Sequence, residues 1–294
     1  MSSLAEIAQR LARLKEISGI MTAMKSLSLV ETRKLARFID HQRLMLANVE
    51  AAAADFLHYF PAAGSKGTQR VILLLIGSER GFCGNFNERL LAALHKLPAG
   101  GHPPELVVVG RRLGSKLESD AGGNVGVIAS LDGPTVTEDV PAVLGRMMDA
   151  LHMASRLSAA DVALFGLAHD ADGEPRLKSL LPIPATSATR FTHAPQIQLA
   201  PFEFFAELLD QYLLAALFGM LYESLAAENR QRLAHMDNAL DRLGETLGGL
   251  TLKRNALRQE KIIEEIEVIL SSEQAFADGS LAGIFHEGRS AEPP

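Results

Sequence analysis

Proline is missing from the start of the chain to Pro61, and again between Pro201 and Pro293; Gly19 is the only glycine in the first of these stretches. An interior proline removes a helix hydrogen bond and clashes with the preceding turn, so its absence leaves both ends free to run as unbroken helices. Residues 3 to 58, taken as one helix at 1.5 Å per residue, would reach roughly 80 Å, which outgrows any compact domain. Leu4, Ile7, Leu11, Leu14, Met21, Met24, Leu35 and Phe38 recur in steps of three and four, the seam of a coiled coil. Met236, Leu240, Leu243, Leu247, Leu250 and Leu257 give a second such seam, interrupted by Gly244, Gly248 and Gly249. A long helix with one apolar stripe buries it best against another of its kind, so the two ends are expected to form one antiparallel coiled coil. The alternative is a pair of independent bundle helices.

Between the ends the pattern changes. The runs "RVILLLIGS" (70–78), "ELVVVG" (105–110), "NVGVIA" (124–129) and "DVALFGLAH" (161–169) alternate with helix-like stretches at 86–97, 111–119 and 137–157. Short apolar runs separated by helices are expected to be buried parallel strands, which predicts a small, doubly wound, Rossmann-like α/β domain. The expected divisions are residues 1–60 for the N-terminal coiled-coil helix, 68–199 for the α/β domain and 200–276 for the C-terminal coiled-coil helix. Residues 277–294 lack periodicity and are expected to be a disordered tail in which only Ile284 and Phe285 could dock.

Composition narrows the functional classes. The net charge of −6 argues against general affinity for nucleic acid, and a single cysteine excludes an internal disulfide. Aromatic residues make up 5% of the chain and tryptophan is absent, leaving leucine and alanine, which favour helices, to fill the interior. No 18-residue apolar span is expected, and "MSSLAEIAQRLARLKEI" alternates charged with apolar residues instead of showing a signal-peptide core. The expectation is an intracellular soluble protein, or one held at a membrane through partners.

The glycine-rich stretch "GSERGFCGNFNERLL" raises the question of chemistry. A P-loop needs four residues between its glycines and a Lys-Ser/Thr pair after the second; "GSERG" has three, followed by Phe82. Gly77, Gly81 and Gly84 also miss the G-x-G-x-x-G spacing of dinucleotide loops. Cys83 has no histidine nearer in sequence than His95, and a cysteine between Phe82 and Gly84 reads more readily as a small buried residue than as a nucleophile. The nine histidines show no metal-binding spacing, so neither metal nor cofactor is expected. Arg80 remains: on a stiff turn its guanidinium can form a bidentate pair with a partner's carboxylate, or it can lie solvated beside Glu79.

Several segments together resemble the gamma subunit of F-type ATP synthases. "SERGFCGNFN" is similar to that family's S-D-R-G-L-C-G-x-x-N element, and "IMTAMKSLSLVETRK" (20–34) to its I-T-x-A-M-x-M-V-A-x-x-K stretch. "AAENRQRLAHMDNALD" matches S-E-x-x-A-R-M-x-A-M-x-x-A-x-D-N-A at Glu228, Arg232, Met236, Ala239 and Asp241. "NALRQEKIIEEIEVI" follows without a gap and matches N-x-x-R-Q-x-x-I-T-x-E-x-x-E-I at Asn255, Arg258, Gln259, Ile262, Glu265 and Ile269. "LLPIP" (180–184) falls where the family has L-L-P, so the likeness covers about residues 3 to 275.

The resemblance implies a central rotor shaft, non-catalytic itself, turning inside a ring of alternating alpha and beta subunits. The α/β domain would sit at the foot beside the epsilon subunit and the membrane c-ring, peripheral to the cytoplasmic face of the inner membrane. Arg80, Arg258 and Gln259 would contact a beta subunit, while Met24, Glu228, Arg232, Met236, Asp241, Asn255, Ile262 and Glu265 would belong to shaft packing. A shaft without threefold symmetry holds three identical beta subunits in different conformations, and turning it couples ion flow to ATP synthesis or hydrolysis. The apolar content of "IIEEIEVILSS" would then face a sleeve of partner residues. The sequence departs from the family at Met21 and Thr22, at Glu31 in place of a lysine, and at Asp241, Arg242 and Leu243 in place of D-N-A. These departures point to a divergent branch, the alternate sodium-type bacterial enzyme. The rival readings are a Rossmann-like nucleotide-binding enzyme with helical dimerisation arms and a coiled-coil adaptor.

Overall fold

The computed structural model describes residues 3–61, 70–97, 104–120, 126–154, 162–183 and 196–284. Helix α1 spans Leu4–Tyr59 and α5 spans Pro201–Ile284. Between them come β1 (Arg70–Ile76), α2 (Phe86–His95), β2 (Glu105–Val109), α3 (Arg111–Asp120), β3 (Val127–Leu131), α4 (Val140–Ala154), β4 (Val162–His169) and β5 (Pro175–Leu181). The chain divides into two compact units, Ala23–Asp237 and the combination of Met1–Thr22 with Asn238–Pro294.

In the larger unit, the five strands lie in the order β3-β2-β1-β4-β5. The first four pair in parallel, as expected, and β1, β2 and β4 are buried along most of their length; β3 differs from the expected buried strand, because it lies at the sheet edge and none of its residues is buried. The fifth strand, β5, pairs antiparallel with β4 and adds an edge that the apolar runs did not announce. Ile72, Leu74 and Ile76 of β1 face a core completed by α4, by Leu35 and Ile39 of α1, and by Tyr212 to Ala226 of α5. Leu73 and Leu75 face the opposite way, against Leu90 and Leu91 of α2 and Leu113 and Leu117 of α3. The period-two alternation of one strand therefore feeds two separate cores.

Contacts between α1 and α5 in this unit run in opposite order along the two helices. Lys25 pairs with Asp237, Phe38 stacks on Tyr222 at 5.4 Å, and Phe56 meets Phe204 at 4.9 Å. That ordering makes the pair antiparallel, as expected. The seam differs at one place: Phe38 is 44% exposed, and the buried position is Ile39, four residues after Leu35. In the smaller unit Ile7 and Leu11 are buried, and Leu243, Leu247, Leu250 and Leu257 are half-buried at three/four spacing.

Two boundaries and one expectation about hydropathy differ from the sequence reading. The stretch expected as a helix over 137–157 begins as a 3-10 turn at Thr137–Asp139 before α4, and residues 155–157 lie outside the described residues. Helix α5 continues to Ile284 through the first part of the expected tail; residues 285–294, including Phe285, lie outside the described residues. Contrary to the expectation of no long apolar span, α5 contains an 18-residue window of mean hydropathy 1.5, long and apolar enough to cross a membrane by composition alone. Its residues from Tyr212 to Ala226 are core residues of the α/β unit.

Candidate functional site

In a doubly wound sheet, ligands bind beyond the carboxyl ends of the strands where the strand order reverses. Here that point lies between β1 and β4, and the glycine-rich loop emerges there directly after Ile76. The crevice is taken up by the chain itself. Cys83, Phe86 and Ala227 form a small apolar cluster, Phe86 stacks on His169 at 3.8 Å, and the Ser224 hydroxyl donates to the Ile76 carbonyl at 3.5 Å. The glycine-rich loop thus stands where a doubly wound enzyme has its phosphate loop, and α5 packs against it where the ligand would lie.

The loop is held at several points. Asn87 accepts from the Ser78 amide at 3.0 Å and donates to the Ser78 hydroxyl at 2.7 Å, closing the turn from inside. The Glu79 carboxylate accepts from the amides of Arg111 (2.9 Å) and Gly133 (2.8 Å), tying the loop to the ends of β2 and β3. Gly110 makes this approach possible: its φ of +109° suits only glycine, and a Cβ there would come within 2.7 Å of the Gly77 carbonyl oxygen. On the other flank, Arg232 Nε donates to the Gly81 carbonyl at 3.3 Å, and Gln231 Nε2 donates to Asn85 Oδ1 at 3.2 Å. Phe82 adopts φ 64°, a left-handed conformation that a bulky side chain takes up only when its surroundings enforce it. It is 60% exposed.

Arg80 sits between these anchors. It is exposed, and its guanidinium forms no ion pair among the described residues. Beside it the Glu79 side chain is turned inward and bonded, so both readings of Arg80, a partner contact or an arginine solvated beside Glu79, rest on a fixed turn. Cys83 is buried; burial pushes its thiol up, opposed by its hydrogen bond to the Ser78 hydroxyl at 3.4 Å. The thiol is therefore less available as thiolate than a free cysteine.

The other residues singled out by sequence separate into two groups. Met236, Glu228 and Arg232 are buried and Met24 is half-buried, all in the larger unit. Arg232 and Glu228 form a buried ion pair one helical turn apart, and Arg232 Nη1 also donates to Asn229 Oδ1 at 3.2 Å. Burial pushes the Glu228 carboxyl up to about 7, with Arg232 pulling the other way. The second group, Asp241, Asn255, Ile262 and Glu265, also expected in shaft packing, is exposed in this chain: Asp241 and Asn255 lie off the half-buried row of Leu243, Leu247, Leu250 and Leu257, and Ile262 and Glu265 lie beyond its end. Arg258 and Gln259 are exposed beside them, followed by Ile262, Ile263, Ile266, Val268, Ile269 and Leu270, all at least 46% exposed.

Two residues carry roles that sequence reasoning missed. Glu31 accepts from the Thr137 amide at 3.0 Å and hydroxyl at 2.7 Å, and pairs with Lys34 at 3.0 Å. Burial works to raise its carboxyl and is outweighed by these donors, which hold it below the usual range. The departure from lysine at this position therefore joins α1 to the turn that starts α4. His169 is 1% exposed and neither ring nitrogen has a hydrogen-bond partner among the described residues; burial, then Arg89, lowers its pKa to about 4. Neither role leaves a local signal, since each depends on residues distant in sequence.

Comparison with known proteins bears on what this arrangement serves. A family model described as ATP synthase matches residues 3–276. The ATP synthase gamma chain of Heliobacterium modesticaldum (strain ATCC 51547 / Ice1) is 25% identical over 298 residues, covering 94% of this chain and 99% of that one. A chain in the cryo-EM structure of the Euglena gracilis mitochondrial ATP synthase (OSCP/F1/c-ring, rotational state 3) superposes with a TM-score of 0.63 at 13% identity, covering 99% of this chain and 98% of that one. A chain from the central stalk/c-ring structure of the Tetrahymena thermophila mitochondrial enzyme gives a TM-score of 0.52 at 17% identity, covering 75% of this chain and 99% of that one.

Proposed function

Because this chain belongs to the gamma-subunit family of ATP synthases, we propose how it works as that enzyme's central rotor stalk. It carries torque between the membrane sector and the ring of alpha and beta subunits without performing bond chemistry. The ring surrounds the end of α5 and the c-ring contacts the foot, with the epsilon subunit beside it, so that the assembly lies peripherally on the cytoplasmic face of the membrane.

One observation carries this reading: from Arg258 to Ser271, α5 has no buried residue although half a dozen of its side chains are large and apolar. Such a surface needs a covering, and a ring of partner subunits supplies one. Within it, Arg258 and Gln259 project about 100° apart around the helix and engage neighbouring groups of one beta subunit. Arg80 supplies a second contact lower down, a guanidinium offered to an acidic segment of beta.

The test is to assemble the chain with alpha and beta subunits and compare ATP turnover of wild type with Arg258→Ala/Gln259→Ala. The double variant lowers turnover while the free chain unfolds at an unchanged temperature. Unchanged turnover rejects the contact.

A further inference from the structure

The contact proposed for Arg80 demands that a long, flexible side chain be presented from a fixed origin. We infer that Arg232, held in place by Glu228, is the positioning residue for Arg80. This rests on the reading of Arg80 as a beta-subunit contact and goes beyond it, because it assigns the buried Glu228–Arg232 pair a task other than packing.

Glu79 restrains the residue before Arg80 through the loops after β2 and β3. The Arg80 carbonyl accepts from Cys83 Sγ at 3.8 Å within the loop, and among the described residues the next carbonyl, that of Gly81, has one side-chain donor, Arg232 Nε at 3.3 Å from α5. Arg232 is 5% exposed, and its remaining nitrogens are engaged by Asn229 and Glu228 on its own helix. Its planar fork is thereby used in three directions at once: two hold the guanidinium against α5 and the third reaches across to the loop. The left-handed Phe82 lies just past the grasped carbonyl, so releasing it would let the backbone relax from a conformation it does not otherwise favour. A load on Arg80 then passes to α5 first through the Gly81 carbonyl, ahead of the Asn85–Gln231 bond further along the loop.

Removing Arg232 alone would strand the Glu228 carboxylate in the interior and confuse positioning with folding. The informative variant is Glu228→Leu/Arg232→Met, which removes both charges at similar volume, keeps the helix and loses the reach to Gly81 along with the bond to Asn229 and the attraction between Glu228 and Arg80. Its melting temperature as a free chain is measured first, together with amide exchange across residues 80–84 and across β1. Turnover of the assembled complex is then compared for wild type, Arg80→Ala, the apolar pair and the triple variant. The expected result is an unchanged melting temperature, at least about tenfold faster exchange confined to the loop, and turnover lowered about tenfold by Arg80→Ala. The apolar pair lowers turnover comparably and the triple variant lowers it no further, because a positioning residue has no effect once the group it positions is gone. Independent losses that multiply to about a hundredfold in the triple variant overturn the inference while leaving the Arg80 contact intact. Loop exchange that stays at the wild-type rate in the apolar pair also overturns it. A silent Arg80→Ala removes the contact itself, and the inference with it.

Discussion

The same helix lives in two environments. Between Tyr212 and Met236, α5 buries not only its apolar residues but also Glu223, Glu228, Asn229 and Arg232, each with a partner inside the chain. Between Arg258 and Ser271 it exposes apolar residues of equal size. Hydropathy alone ranks the isoleucines, valine and leucine of the second stretch as core and the buried charges of the first as surface; the structure reverses both. Burial follows what surrounds a residue, so a rotor subunit shows its internal joints as paired charges and its external ones as uncovered leucine, isoleucine and valine.

Substitutions that act on one stretch and spare the other test this contrast. The largest effect is expected for Glu228→Ala, which leaves the Arg232 guanidinium buried without its counterion at a cost of about 3 to 5 kcal/mol. Glu265→Ala, on the exposed stretch, shifts the urea midpoint of the free chain by no more than the scatter of the measurement; equal effects would erase the distinction. Next comes Leu217→Ala, at a fully buried position, with an expected loss of about 3 kcal/mol from transfer and cavity terms together. Ile266→Ala should leave the free chain's stability within about 0.5 kcal/mol while reducing its capture by an alpha/beta ring.

The third effect depends on pH. His169 has a folded pKa of about 4 against an ordinary 6.5, so between these values the unfolded chain holds a proton that the folded chain refuses. Stability is complete above pH 6.5 and falls as the pH drops towards 4, by about 3 kcal/mol for this residue. His169→Leu removes that component and fills the site without orphaned nitrogens; comparing melting temperatures at pH 7.5 and 5 for the two proteins reveals it. The smallest effect sharpens the contrast from the other side. A Cβ at Gly248 would meet no atom within 4 Å, so Gly248→Ala should raise stability by about 1 kcal/mol through helix propensity alone.

Much of the architecture was legible in the residues. "RVILLL" and "ELVVV" read as buried strands because nothing polar interrupts them, and both long helices followed from missing prolines and three/four seams. The strand "PRLKSLL" escaped because it begins with proline and alternates charge with leucine; it lies at a sheet edge where only Leu180 is buried. Phe38 misled because an aromatic ring can stack on Tyr222 from outside the seam that Ile39 fills. At the candidate site, Arg80 stood out as an exposed cation on a glycine turn, but its bracing did not, since Gly81 and Arg232 are 151 residues apart. Local patterns can mark a turn; they carry no record of which distant side chain holds it.

The core that joins Leu35 and Ile39 to Tyr212 and Ala226 also fixes an order of events. A chain made from its N-terminus forms the sheet's strands well before the part of α5 that covers one of their faces. Until residues 212–226 have left the ribosome, Ile72, Leu74, Val107 and Leu164 have only α1 and α4 to pack against. Contacts closed across so long a loop form slowly, and the open face meanwhile can associate with other chains. The burial of α5 in its own foot domain thus makes folding a late, whole-chain event, and a chain halted before that segment is a candidate for aggregation or chaperone capture.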